Sequence, residues 1–134
     1  MSTETPYHPE LTVIAPCYNE EGNVAELCRR VLAVFNSMPV PAELLLVDDG
    51  SADATWERIL EAARADHRVR GEKHIKNRGI EGGWRTGLQV ARADVVCLID
   101  SDLQNRPEDI ARLWEVYAKG DVDVLVDVVG WFAP

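Results

Sequence analysis

Acidic residues cluster at three points along the chain. Glu20 and Glu21 close the segment Pro16-Cys17-Tyr18-Asn19-Glu20-Glu21. Asp48-Asp49-Gly50-Ser51 follows a run of leucines, and Asp100-Ser101-Asp102-Leu103-Gln104 follows a third apolar run. Asp100 and Asp102 flank a single residue, so on a turn both can face one site. As hard oxygen donors they suit Mg²⁺ or Mn²⁺ and leave most of an octahedral shell to other oxygens, of which diphosphate oxygens are the natural choice. The histidines and cysteines form no paired spacing that would make a zinc cage. Singly, each cluster has an ordinary explanation, since Asp is a common turn residue and Asp49-Gly50 is a turn signal. Brought together, uncompensated carboxylates repel and raise one another's pKa values. A cation or a hydrogen-bonding ligand offsets that repulsion.

For the clusters to meet, separate elements must deliver them to one rim. Leu11-Thr12-Val13-Ile14-Ala15 ends at Pro16, residues 43–47 (ELLLV) end at Asp48, and residues 95–99 (VVCLI) end at Asp100. Short apolar runs of this kind are the pattern of buried strands. Residues 69–75 read as a further strand, a poor one because of Gly71 and Glu72. Residues 122–129 read as a last strand with Asp123 and Asp127 on one alternating face. Helical spacing links Val24, Leu27, Cys28, Val31, Leu32 and Phe35, and Pro39 and Pro41 stop it. Trp56, Ile59, Leu60 and Ala63 repeat the spacing, with Ser51 or Asp53 as the N-cap. A glycine-rich turn from Gly79 runs into a helix carrying Trp84, Leu88 and Ala91. Pro107 opens another with Ile110, Leu113, Trp114 and Tyr117 on one face, and Gly120 suits its C′ position. The alternation predicts an α/β fold, a mainly parallel sheet flanked by helices. In such sheets ligands bind outside the carboxyl ends of the strands, where the acids fall. Residues 1–10 read as a flexible tail and residues 11–134 as one domain.

The bulk properties narrow the function. A chain of 134 residues buries roughly two thirds of its unfolded surface, enough for a core. The net charge of −9 argues against nucleic acid, whose phosphates demand a basic face. A bound cation would reconcile the acidic rim with an anionic substrate. The three cysteines, Cys17, Cys28 and Cys97, are an odd number without Cys-x-x-Cys spacing, which fits buried thiols in a reducing compartment. The polar N-terminus does not read as a signal peptide, and no apolar run approaches the ~20 residues that span a bilayer. The expected location is cytoplasmic or peripheral at the membrane.

Pro16-Cys17-Tyr18-Asn19-Glu20-Glu21, Val47-Asp48-Asp49-Gly50-Ser51 and the D-x-D of Asp100-Ser101-Asp102 together resemble family 2 glycosyltransferases of the GT-A fold. Asp100-Ser101-Asp102-Leu103-Gln104 followed by Pro107-Glu108 is similar to the branch of dolichol-phosphate mannosyltransferases and bacterial polyprenyl-phosphate glycosyltransferases. Lys76-Asn77-Arg78-Gly79 with Gly87 resembles the segment between the second motif and D-x-D. The resemblance covers nearly all of residues 11–131. It implies transfer of a sugar from a UDP- or GDP-activated donor, with a divalent metal and a polyprenyl phosphate as acceptor. It further implies that Pro16, Tyr18 and Glu20 line the nucleoside pocket, Tyr18 near the base and Glu20 near the ribose. Asp49 would accept a hydrogen bond from the base, and Asp100 would face the ribose or donor sugar. Asp102, helped by Gln104, would hold the metal, and Asp100 and Asp102 are the catalytic pair.

Each role has a plainer alternative: Tyr18 as a packed aromatic, Glu20 as a helix first-turn acid, Gln104 as a solvated loop residue. His8, His67 and His74 have no motif partners and read as surface or tail residues. The family's domain is expected to continue past residue 134 with a basic segment and acceptor-binding residues, so the chain reads as the C-terminally truncated, donor-binding portion. No residue reads as a general base, which an already anionic phosphate acceptor does not need. A non-catalytic remnant that binds nucleotide or a protein partner through the same rim is the alternative function.

Overall fold

Strands and helices alternate along the computed structural model, which describes residues 6–104 and 106–120. The elements are β1 (Leu11–Cys17), α1 (Val24–Ser37), β2 (Ala42–Asp48), α2 (Thr55–Ala65), β3 (Val69–Lys73), α3 (Gly79–Val90), β4 (Val95–Leu98) and α4 (Asp109–Ala118). The four strands form one sheet in the order β3-β2-β1-β4, and every pairing is parallel. The expected strand over residues 122–129 lies outside the described residues.

Both faces of the sheet are covered, which is why β1 and β2 are apolar almost throughout. Val13, Ala15, Leu44 and Leu46 pack with Val24, Leu27, Val31 and Phe35 of α1, Ile59 of α2 and Ile110 of α4. Ile14, Leu45 and Val47 face the other way, against Trp84 and Val90 of α3. α3 approaches closely because two glycines leave room. A Cβ on Gly83 would lie 2.7 Å from Pro16 Cβ, and one on Gly87 would lie 2.4 Å from Ile14 Cγ2.

Some local readings shift. β3 exists despite Gly71, because a Cβ there would lie 2.6 Å from Ile59 Cγ2 of α2. Thr55 opens α2 with Ala54 in the cap position, and Asp53 Oδ1 accepts the Thr55 N–H at 2.9 Å. α4 starts two residues after Pro107, whose carbonyl accepts the Ile110 N–H. Gly120 ends it in the left-handed region at φ 82°. Within the stretch read as a tail, the Tyr7 hydroxyl donates to the Ala42 carbonyl at 2.7 Å and its ring meets His67 edge-on.

Candidate functional site

Chain order reverses at β1: β2 and β3 are added on one side and β4 on the other. At such a switch point the loops leaving adjacent strands diverge and open a crevice at their carboxyl ends. A cavity of about 200 Å³ lies there, lined by Pro16, Cys17, Tyr18, Glu20, Asp49, Ile80, Asp100, Ser101 and Asp102. The carboxyl ends of β1, β2 and β4 thus each contribute an acid. Of the residues expected at the site, only Gln104 is missing from the lining. It is exposed, and its backbone N–H donates to Asp102 Oδ1 at 3.1 Å.

The loop after β1 is tied to the loop after β2 by reciprocal bonds. Asn19 N–H donates to Ser51 Oγ (2.9 Å), and Ala52 N–H donates to Asn19 Oδ1 (2.9 Å). Glu20 N–H donates to Thr55 Oγ1 (2.8 Å). Glu21 N–H donates to Asp53 Oδ2 (3.3 Å), while Glu21 Oε2 accepts the Ala54 N–H (3.2 Å). Asn19 takes a positive φ of 52°, a conformation Asn tolerates better than most residues. Held this way, Tyr18 is half exposed on the cavity wall and not in the core. Glu20 precedes α1, and its carboxylate accepts from Asn23 Nδ2 at 2.6 Å.

Asp100 and Asp102 form the acidic side of the cavity. Burial first, and the neighbouring Asp102 charge second, raise the Asp100 pKa above the usual carboxylate value. Such a pair favours a cation. Among the described residues no three His, Cys, Asp or Glu side chains gather as a metal cage, so these two would leave most of a Mg²⁺ or Mn²⁺ shell to phosphate and water oxygens. Hard-oxygen chemistry of that kind fits the donor set. Cys17 also lines the cavity, and burial pushes its thiol up to about 12.

Asp49 is buried at the start of α3. Its Oδ1 accepts the Arg78 N–H at 2.7 Å and its Oδ2 the Gly79 N–H at 2.9 Å, so it caps a helix whose own residues supply no cap. The third partner corrects the reading of His74 as a surface residue. His74 is buried, with Nδ1 2.8 Å from Asp49 Oδ1 and Nε2 2.7 Å from Thr86 Oγ1. No motif marks it. The available signal is its place one residue past β3 (Val69–Lys73), on the same rim as the acids.

The family described as glycosyl transferase family 2 matches residues 12–132. The chain belongs to this family. As a family 2 glycosyltransferase chain it is 41% identical over 126 residues to the undecaprenyl-phosphate 4-deoxy-4-formamido-L-arabinose transferase of Pectobacterium carotovorum subsp. carotovorum (strain PC1), a match covering 90% of this chain and 36% of that protein. The chain therefore spans about a third of the length of the curated relatives it matches. Its fold is GT-A. The Pyrobaculum calidifontis mannosyltransferase PcManGT in complex with GDP-Man and Mn²⁺ aligns at TM-score 0.61 and 26% identity, covering 72% of this chain and 28% of that one. S. aureus TarS in complex with UDP-GlcNAc aligns at TM-score 0.64 and 26% identity, covering 83% and 31%. Among the described residues no helix is long and apolar enough to cross a membrane.

Proposed function

We propose that the crevice at the carboxyl ends of β1, β2 and β4 binds a nucleoside diphosphate sugar and serves glycosyl transfer to a polyprenyl phosphate. The observation that carries this reading is the meeting of Tyr18, Glu20, Asp49, Asp100 and Asp102 around one cavity. Tyr18 offers a half-exposed ring for the base to pack on, and Pro16 and Glu20 complete the nucleoside wall. Among the described residues Asp49 Oδ2 has a single protein donor, Gly79 N–H, and a carboxylate oxygen has lone-pair capacity for a second, here a base N–H. Asp100 would face the ribose or the donor sugar. Asp102 would hold Mg²⁺ or Mn²⁺, with Gln104 shaping the turn through its backbone.

A divalent cation there supplies Lewis acidity that stabilises the departing diphosphate. In the transfer, the anomeric carbon's bond to the diphosphate oxygen breaks and a bond to an acceptor phosphate oxygen forms, releasing the nucleoside diphosphate. An ionised acceptor phosphate brings its own electron pair, so the chain need not provide a base. The acceptor class is supported by the undecaprenyl-phosphate transferase relative, and the donor class by neighbours bound to GDP-Man and UDP-GlcNAc. An acidic, peripheral protein acting at a membrane surface is compatible with this chemistry.

Calorimetric titration of UDP and GDP, with Mn²⁺ and with chelator, tests the reading. Binding of one of them is expected to strengthen with Mn²⁺. Asp49→Ala should weaken nucleoside monophosphate and diphosphate alike, whereas Asp102→Ala should weaken the diphosphate far more. Each lost charged hydrogen bond is worth roughly 10- to 100-fold in affinity. Equal affinities in Mn²⁺ and chelator would remove the metal from the proposal, and identical behaviour of the two variants would remove the division of roles.

A further inference from the structure

The geometry points to His74 as a positioning residue for base recognition, one that fixes the Asp49 carboxylate by bridging it to Thr86 in the middle of α3. The assignment rests on the donor-site reading above. A carboxylate only accepts, so Nδ1 carries the hydrogen donated to Asp49 Oδ1 at 2.8 Å. Nε2 lies 2.7 Å from Thr86 Oγ1, a hydroxyl able to donate or accept. Both ring nitrogens are thus partnered.

The ring has no room to swing away. His74 is 3% exposed, and its backbone N–H donates to the Asp48 carbonyl at 2.8 Å, prolonging the β2–β3 ladder by one residue. Thr86 lies between Gly83 and Gly87, where α3 sits against Pro16 and Ile14 of β1. The chain Asp49–His74–Thr86 therefore references the carboxylate to the part of α3 that packs directly on β1. His74 and Arg78 N–H both occupy Oδ1, which leaves Oδ2 as the oxygen with capacity for a ligand. Without the imidazole, Asp49 keeps only the two amides at the start of α3 and loses its tie to the end of β3 and the middle of α3.

The test measures binding of UMP, UDP, GMP and GDP in Mn²⁺ to the whole chain and to His74→Ala, His74→Asn and Thr86→Val, with circular dichroism and melting curves alongside. His74→Ala is expected to lose about tenfold in affinity, equally for the monophosphate and the diphosphate of the preferred base. His74→Asn places an amide N–H near the Nδ1 position and should recover most of that loss. Thr86→Val should fall between the two. If His74→Ala does not fold, the ordering of wild type, His74→Asn and Thr86→Val carries the same test. A folded His74→Ala with wild-type affinity, an Asn variant that recovers nothing, or a loss confined to the diphosphate would each overturn the assignment alone. A wild-type chain that binds none of the four nucleotides would overturn the donor-site reading, and this assignment with it.

Discussion

Asp100 loses water on folding and gains an acidic neighbour in Asp102, and both changes favour its protonated form. Unfolded, an Asp ionises near pH ~3.9. In the fold Asp100 holds its proton to higher pH, so its ionised form opposes folding at neutral pH. That opposition fades as pH falls through the folded pKa and is gone below the unfolded one. Asp100→Asn should therefore raise Tm at pH 7 in chelator, with the advantage shrinking toward pH 4, while nucleotide affinity drops. Melting curves across that range check the sign; a lower Tm at pH 7 would mean Asp100 stabilises the fold. At this scale the sequence was informative wherever acids followed apolar runs. It was silent about His74, whose partners stand 25 and 12 residues away on other elements and meet it only through the sheet order.

At the scale of elements, β1 and β2 were legible because burial on both faces leaves an apolar run with no alternation to interpret, and β4 because its run is as apolar. β3 was the weak reading. Its Gly71 counts against a strand by propensity, yet the close approach of Ile59 and Trp56 of α2 requires it. Gly83 and Gly87 of α3 act likewise. They do not make a phosphate-binding fingerprint; they let a helix touch β1. Gly87→Ala would bring a Cβ within 2.4 Å of Ile14 Cγ2. Overpacking of about 1–3 kcal/mol should outweigh the ~1 kcal/mol that Ala gains over Gly in a helix. Denaturant titration should show a net loss of up to about 2 kcal/mol, and a stabilised variant would mean α3 can move outward freely.

Across the whole molecule, the end of the sheet away from the cavity is locked by one buried acid. Glu43 accepts from Thr12 Oγ1 on β1 at 2.6 Å, from Arg70 Nε on β3 at 2.7 Å and from Arg92 N–H beyond α3 at 2.9 Å. Arg70 also donates to the Val90 carbonyl at the end of α3. The sequence showed Glu43 only as the polar start of a strand, because three of its partners arrive from other elements. Burial alone would raise its pKa, but the bonds from Arg70, Thr12 and Arg92 outweigh that and hold it below the usual range. Its contribution is thus complete above the unfolded pKa and is lost as pH falls through the folded one. Glu43→Ala leaves Arg70 without its carboxylate and should cost about 3 kcal/mol at pH 7. Acid titration of stability should also be flatter below pH ~4 in the variant than in the wild type. Equal acid limbs would show that Glu43 does not govern them.

The reciprocal bonds between the loops after β1 and β2 bear on how the cavity wall can be re-engineered. Asn19 and Ser51 hold each other's loop, as do Glu21 and Asp53. A transplant of either loop alone from a relative would bring donors without their acceptors. Residues 18–24 and 49–55 form one cassette, and a chimera that exchanges these loops has to carry both halves.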